Sequence, residues 1–379
     1  MHGISSTTRR GLASQVIACA AIAAAAVSIA IAPARLQAQY FGPNKVTYRN
    51  FDVKEMHTRH FDILYYPAES LVVADMARMA ERWYERHSES LRDTFARKPI
   101  ILYSDPPAFA QNNIAPQFVG GSVGGFTEPY RDRAVLPMTG DYASDDHILG
   151  HELVHVFQFD IAGTFRGGFS SMNRLPQWSV EGMAEYMSIG RDDPNTVMFL
   201  RDAALRNKLP TFKKLVTDPQ GYFAYRWGQA LYAYIGGKYG DVQIPAIYRA
   251  ALRRGIDPAI REVLGITPDS LMKEWLASIK KDYLADAKTR TLPKDLGTRV
   301  LTQASKKYGD LDVVPSLSPD GKEVAFVTSR GLFNLYLYIA DAATGRIIHK
   351  LTNPNGDPHF EAVNFVSSSG AWSDRKSVV

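Results

Sequence analysis

Cysteine is nearly absent: Cys19 is the single one in 379 residues. That excludes a disulfide framework, a cysteine-based zinc finger and an iron–sulfur protein, so any metal has to be held by histidine and carboxylate. Charge of one sign is scarce as well. The 44 Lys and Arg against 39 Asp and Glu leave a net charge of only +5. No Lys/Arg-rich patch interleaved with aromatics supports a nucleic-acid partner. Low-complexity sequence is missing too. With 45% apolar and 22% charged residues the chain can bury a substantial core, and its length suggests two domains.

The N-terminus accounts for much of the residual charge. Arg9 and Arg10 precede an almost unbroken Ala/Ile/Val stretch over 16–32, and small residues follow at Ala32, Ala34 and Ala38. This order describes a secretory signal peptide over residues 1–38, hence a periplasmic or secreted protein. An uncleaved membrane anchor is the alternative, and membrane attachment follows only in that case. Residues 1–38 hold Arg9, Arg10 and Arg35, no acid and the only cysteine, so the remainder carries +2 and no thiol.

Beyond it, residues 58–66 alternate as a strand, with Phe61, Ile63 and Tyr65 on one face. Val72, Met76, Met79, Trp83, His87, Leu91 and Phe95 recur at spacings of three and four, the signature of one long amphipathic helix. Short strands are expected at 99–103, stopped by Asp105-Pro106-Pro107, and at 134–137. Residues 124–127 read as a loop, an edge strand that receives an extended peptide being the alternative. Helices are expected near 145–159, 177–188, 196–206, 221–237, 243–253 and 268–287, with Asp145 and Asp146 opening the first. Strands followed by helices imply an α+β domain, mainly helical around its centre.

That centre is His151-Glu152-Leu153-Val154-His155. Residues i and i+4 share a helix face, so both imidazoles reach one ion, with Glu152 beside it to take a proton from water. Glu181 and Glu185, again four apart, project from the apolar side of a second helix. Two acids there are costly to bury without a cation or hydrogen-bond donors. Glu181 is therefore assigned as third metal ligand and Glu185 as the carboxylate that orients a ligand histidine. His147 continues the series of histidines and is placed at the rim, because as the third ligand it leaves Glu181 a buried acid without a purpose. His57 and His60 show no acidic partner pattern and are read as structural. Tyr225 and Arg226 are the candidate donors to a developing oxyanion; a core role for the tyrosine is the alternative.

Gly150 to His155, taken with Trp178-Ser179-Val180-Glu181-Gly182-Met183-Ala184-Glu185-Tyr186, resembles the gluzincin zinc metallopeptidases, and among them the bacterial peptidase MA-like family. The resemblance spans roughly residues 45–290. It implies a thermolysin-like domain over 39–295 holding one zinc ion through His151, His155 and Glu181. It also implies peptide hydrolysis by an activated water, with Glu152 as general base and acid and Glu185 behind a ligand histidine.

From residue 296 the pattern becomes all-β. Ser318-Pro319-Asp320-Gly321 leads into an apolar strand, then Leu335 to Ile339, a Thr344-Gly345 turn and Ile347-Ile348, which resembles a TolB-like β-propeller blade. Ala371-Trp372-Ser373 reads as the start of a second blade. Residues 374–379 match a reading frame of a sequencing adaptor, so 296–379 is expected to be an interrupted propeller with an artificial tail. A propeller binds partners, so the expected partners are a peptide or protein substrate and a cell-envelope protein. The rival functions are a scaffold whose peptidase-like domain is inactive and a metal-dependent hydrolase acting on another bond.

Overall fold

The computed structural model describes residues 52–115, 119, 123–165, 167–291, 293–297, 300–301, 312–329, 336–351 and 371–372. The expected signal peptide (1–38) and the tail (374–379) lie outside the described residues. Every element named below belongs to one compact unit, Thr47–Asn112 with Val119–Val379.

The first half is a five-stranded sheet crossed by long helices. Strands β1 (Lys54–His57) and β2 (Phe61–Tyr65) form a hairpin; helix α1 (Val73–Leu91) then leads to β3 (Lys98–Tyr103) and the short α2 (Pro106–Ala110). Strands β4 (Phe126–Glu128) and β5 (Arg133–Pro137) follow, then α3 (Tyr142–Gly163), which carries the His-Glu-x-x-His motif. The sheet order is β1-β2-β3-β5-β4; β2, β3 and β5 run parallel, and β1 and β4 close the two edges antiparallel. The residues expected to be a loop at 124–127 therefore split. Gly124 and Gly125 are irregular, whereas Phe126 and Thr127 enter an edge strand. Strand β3 stops at Tyr103, as expected ahead of Asp105-Pro106-Pro107, and the same residues also start α2: the Asp105 carboxylate accepts from the Ala108 N–H, and proline suits a first turn.

Eight α-helices follow among the described residues: α4 (Gln177–Ile189), α5 (Pro194–Leu205), α6 (Phe212–Thr217), α7 (Ala224–Tyr239), α8 (Gln243–Arg254), α9 (Ile256–Leu264), α10 (Pro268–Ala287) and the single turn α11 (Pro293–Leu296). The short α6 and α9 are additions to the sequence-based reading. Strands β6 (Asp312–Leu317), β7 (Glu323–Thr328), β8 (Tyr336–Asp341) and β9 (Ile347–Lys350) form a four-stranded antiparallel sheet in sequential order. Its hairpins turn at Gly321 and Gly345, both at positive φ, where an L side chain is strained. The architecture is thus mixed α+β with two small sheets. Among the described residues no helix is long and apolar enough to cross a membrane.

Two packing contacts position the motif. Helix α3 begins three residues before Asp145, capped by Asp141, whose carboxylate accepts from the Ala143 and Ser144 N–H groups. Asp145 is buried and accepts from the Thr139 N–H (2.9 Å) and hydroxyl (2.7 Å); Asp146 accepts from Trp83 Nε1 at 2.8 Å. Trp83 of α1 then lies over Gly150, where a Cβ would come within 2.6 Å of the indole. His87, one turn on, donates from Nε2 to the Gly150 carbonyl at 2.9 Å. The second contact joins α4 to α7. A Cβ on Gly182 would lie 2.3 Å from Gly228 Cα, and one on Gly228 only 2.2 Å from the Trp178 carbonyl oxygen. Backbone meets backbone there, with no flexible side chain to yield.

Gly228→Ala should therefore destabilise the protein by at least the roughly 1–3 kcal/mol typical of overpacking, read by urea denaturation, whereas Gly237→Ala, with open space around it, should be neutral or better. His87 supplies a pH test. Burial lowers its pKa from the ordinary 6.5 to about 4, against the opposing hydrogen bond to Gly150. Between those values the unfolded chain takes up a proton that the folded chain refuses. Stability should fall by about 3 kcal/mol as pH drops from 6.5 to 4, with no contribution from this group above 6.5. His87→Gln should flatten that part of the stability–pH curve relative to the parent.

Candidate metal centre

Helices α3 and α4 cross so that the motif face of one meets the Glu181/Glu185 face of the other. His151 Nε2, His155 Nε2 and Glu181 Oε2 form a nearly equilateral triangle, with edges of 3.2 Å (His–His), 3.4 Å (His151–Glu181) and 3.2 Å (His155–Glu181). Donors about 2.0–2.2 Å from one tetrahedral ion lie about 3.3–3.6 Å apart. The triangle fits that spacing, and these three residues are one of the His/Glu groups able to hold a metal.

The tautomers sharpen the fit. His151 Nδ1 lies 3.0 Å from Glu185 Oε2, and a carboxylate only accepts, so this nitrogen carries the proton. His155 Nδ1 lies 2.8 Å from Gln158 Oε1, while Gln158 Nε2 donates to the Val180 carbonyl at 3.2 Å and so fixes which amide atom faces the ring. With the Nδ1 protons fixed in this way, each imidazole leaves its Nε2 facing the other ring and a carboxylate oxygen, able to give a lone pair to a cation in place of a second proton. Three electron-pair donors meeting in a largely buried place is an arrangement that a cation relieves.

Charge around the triangle has the same sense. Glu152 and Glu185 are buried and Glu181 half-buried. Burial pushes the Glu181 and Glu185 carboxyls up, but the histidines against them win and hold both well below the ordinary range. In return, burial lowers the His151 and His155 pKa values and the facing carboxylates raise them by more. Each group is thus tuned to a site that favours positive charge.

The remaining predicted residues lie at different distances and in different contacts around this centre. Glu152 points to β4, where the Thr127 hydroxyl lies 2.8 Å from its Oε2. Tyr225 stacks on the His151 ring at 5.5 Å and 19°; burial, then the Glu181 and Glu152 carboxylates, push its phenol up and keep it protonated. Arg226 is committed elsewhere. Its Nη1 contacts Glu185 Oε1 at 2.8 Å and Asp193 Oδ2 at 3.0 Å, so it braces a carboxylate instead of facing the triangle. His147 also reaches that carboxylate, with Nε2 3.1 Å from Glu185 Oε2. His147, His151 and Glu185 form a second group close enough for an ion, though Glu185 already accepts from three donors.

Sequence reasoning missed Gln158, Thr127 and Asp193. Gln158 stands three residues after His155 on the same helix face, which was the available signal. His57 and His60 do have acidic partners: His57 Nδ1 lies 2.7 Å from Asp62 across the β1–β2 hairpin, and His60 Nδ1 lies 2.6 Å from Glu81 of α1. Pairing across elements hides such partners from a linear scan. Glu55, His57 and Asp62 also gather closely enough for an ion, but on an exposed hairpin with Arg97 3.5 Å from Asp62.

No family model and no curated protein matches the chain.

The hydrogen bonds behind the triangle predict a graded response. Gln158→Ala and Glu185→Ala should each weaken divalent-metal binding by about ten- to hundredfold, measured by competition with a chelating dye. His151→Ala should weaken it further, because it removes a donor outright.

Proposed function

We propose that this protein is an exported zinc peptidase of the gluzincin kind, with the thermolysin-like arrangement over residues 39–295 and a propeller beginning at residue 296. The observation that carries the reading is the convergence of His151 Nε2, His155 Nε2 and Glu181 Oε2 with the Glu152 carboxylate alongside. Two imidazoles, one carboxylate and no thiolate suit zinc. Bound there, zinc supplies Lewis acidity, polarising a carbonyl and making water easier to deprotonate.

The chain's own groups supply the rest. Glu152 takes a proton from the attacking water and passes it to the leaving amine. Tyr225, held protonated against His151, offers its hydroxyl to the oxyanion that develops on the scissile carbonyl. Glu185 keeps the His151 proton on Nδ1, and Arg226 with Asp193 keeps Glu185 in place. Strand β4 ends the sheet beside Glu152, so an extended peptide can pair with it backbone to backbone. The four-stranded sheet with its Pro-Asp-Gly turn suits a first propeller blade, a module for restricting access to the site or for binding an envelope partner.

Glu152→Gln tests this directly. It should retain one zinc per chain by elemental analysis and lose peptide hydrolysis by about 10²–10⁴-fold. Stoichiometric zinc in the parent with no cleavage across a peptide library would overturn the reading.

A further inference from the structure

We propose that Thr127 is a positioning residue that selects which oxygen of Glu152 acts as the base; this rests on the peptidase reading above. Three independent contacts carry it. Gly125, just before β4, and Thr127 within it both approach α3. At Gly125 the chain presses against the Glu152 stem: a Cβ there would lie 3.1 Å from Glu152 Cγ and 2.7 Å from Leu136. One residue pair further, the Thr127 hydroxyl lies 2.8 Å from Glu152 Oε2 and 3.0 Å from the Glu152 carbonyl oxygen. On the opposite face Phe126 packs on Phe109, with ring centroids 5.6 Å apart. The Glu128 carboxylate accepts from the Tyr130 and Arg131 N–H groups and from Arg133 Nε, closing the β4–β5 turn. The short strand is therefore held from both sides, and it delivers the hydroxyl to one defined place.

The hydroxyl distinguishes the two carboxylate oxygens. Oε2 accepts from Thr127, whereas no hydrogen bond to Oε1 occurs among the described residues. With Oε2 engaged by Thr127, Oε1 is the oxygen left free to receive the proton. When Oε1 is protonated, Oε2 still accepts, and the Glu152 carbonyl lies within reach of the same hydroxyl hydrogen. The rotamer is thus retained in both protonation states. A peptide pairing with β4 would also bear on the strand that orients the base, so substrate placement and base placement share one element.

Thr127→Val removes the hydroxyl at nearly constant shape, and Thr127→Ser restores it. The expected result is kcat for the valine variant lowered by about ten- to hundredfold, in line with a hydrogen bond to a charged group. Its KM should stay within twofold, zinc content and melting temperature should match the parent, and the serine variant should recover most of kcat. A crystal structure of the zinc-loaded valine variant should show the Glu152 carboxylate in a changed rotamer. A valine variant with parental kcat, or an unmoved Glu152, would overturn the proposal. If the parent itself cleaves no peptide, the function fails while the rotamer comparison still decides the role of Thr127.

Discussion

Backbone contact between α4 and α7 at Gly182 and Gly228 governs how closely the two helices approach, and with it the depth of everything they carry. Glu181 and Glu185 flank Gly182 on α4, while Tyr225 and Arg226 precede Gly228 on α7. Any side chain at the crossing would push the helices apart and withdraw Arg226 from Glu185. The same logic operates across α3, where Gly150 admits the Trp83 indole one residue before the first histidine. Small residues next to functional ones thus act as spacers of fixed, minimal thickness.

Within that frame the site is a chain of mutually dependent charges. Asp193 caps α5 and binds Arg226; Arg226 and His147 hold Glu185; Glu185 fixes the tautomer of His151. Gln158 performs the corresponding service for His155. No link is strong alone, but in a poorly solvated site each depends on the others being satisfied.

What could be read from the sequence follows from distance along the chain. The i, i+4 pairs His151/His155 and Glu181/Glu185 each lie within one helix, so their common faces were legible, as were the long periodic helices and the turn chemistry at Gly321 and Gly345. Partners drawn from different elements were not: Thr127 to Glu152, Arg226 to Glu185 and Glu81 to His60 become neighbours only once the sheet and helices pack. Arg226 illustrates the limit. Its nearness in sequence to Tyr225 suggested a shared task, yet successive helix residues diverge by about 100°, and the two side chains meet different groups. Helices α6 and α9 were too short for periodicity to reveal.

Helix α3 is buried on nearly all sides from Leu149 to Gln158, and this bears on ion choice. A helix with a solvent-facing side can slide or roll to widen a site; one wedged between α1, the sheet and α4 cannot. Both imidazoles are also anchored at their far nitrogens, so the opening between the donors has little freedom to expand. Calcium, which takes six to eight oxygens at 2.3–2.6 Å, would find neither the ligand number nor the room if the centre holds an ion as proposed. On the proposed reading, the rigidity of a core helix would thus weigh against calcium at this centre.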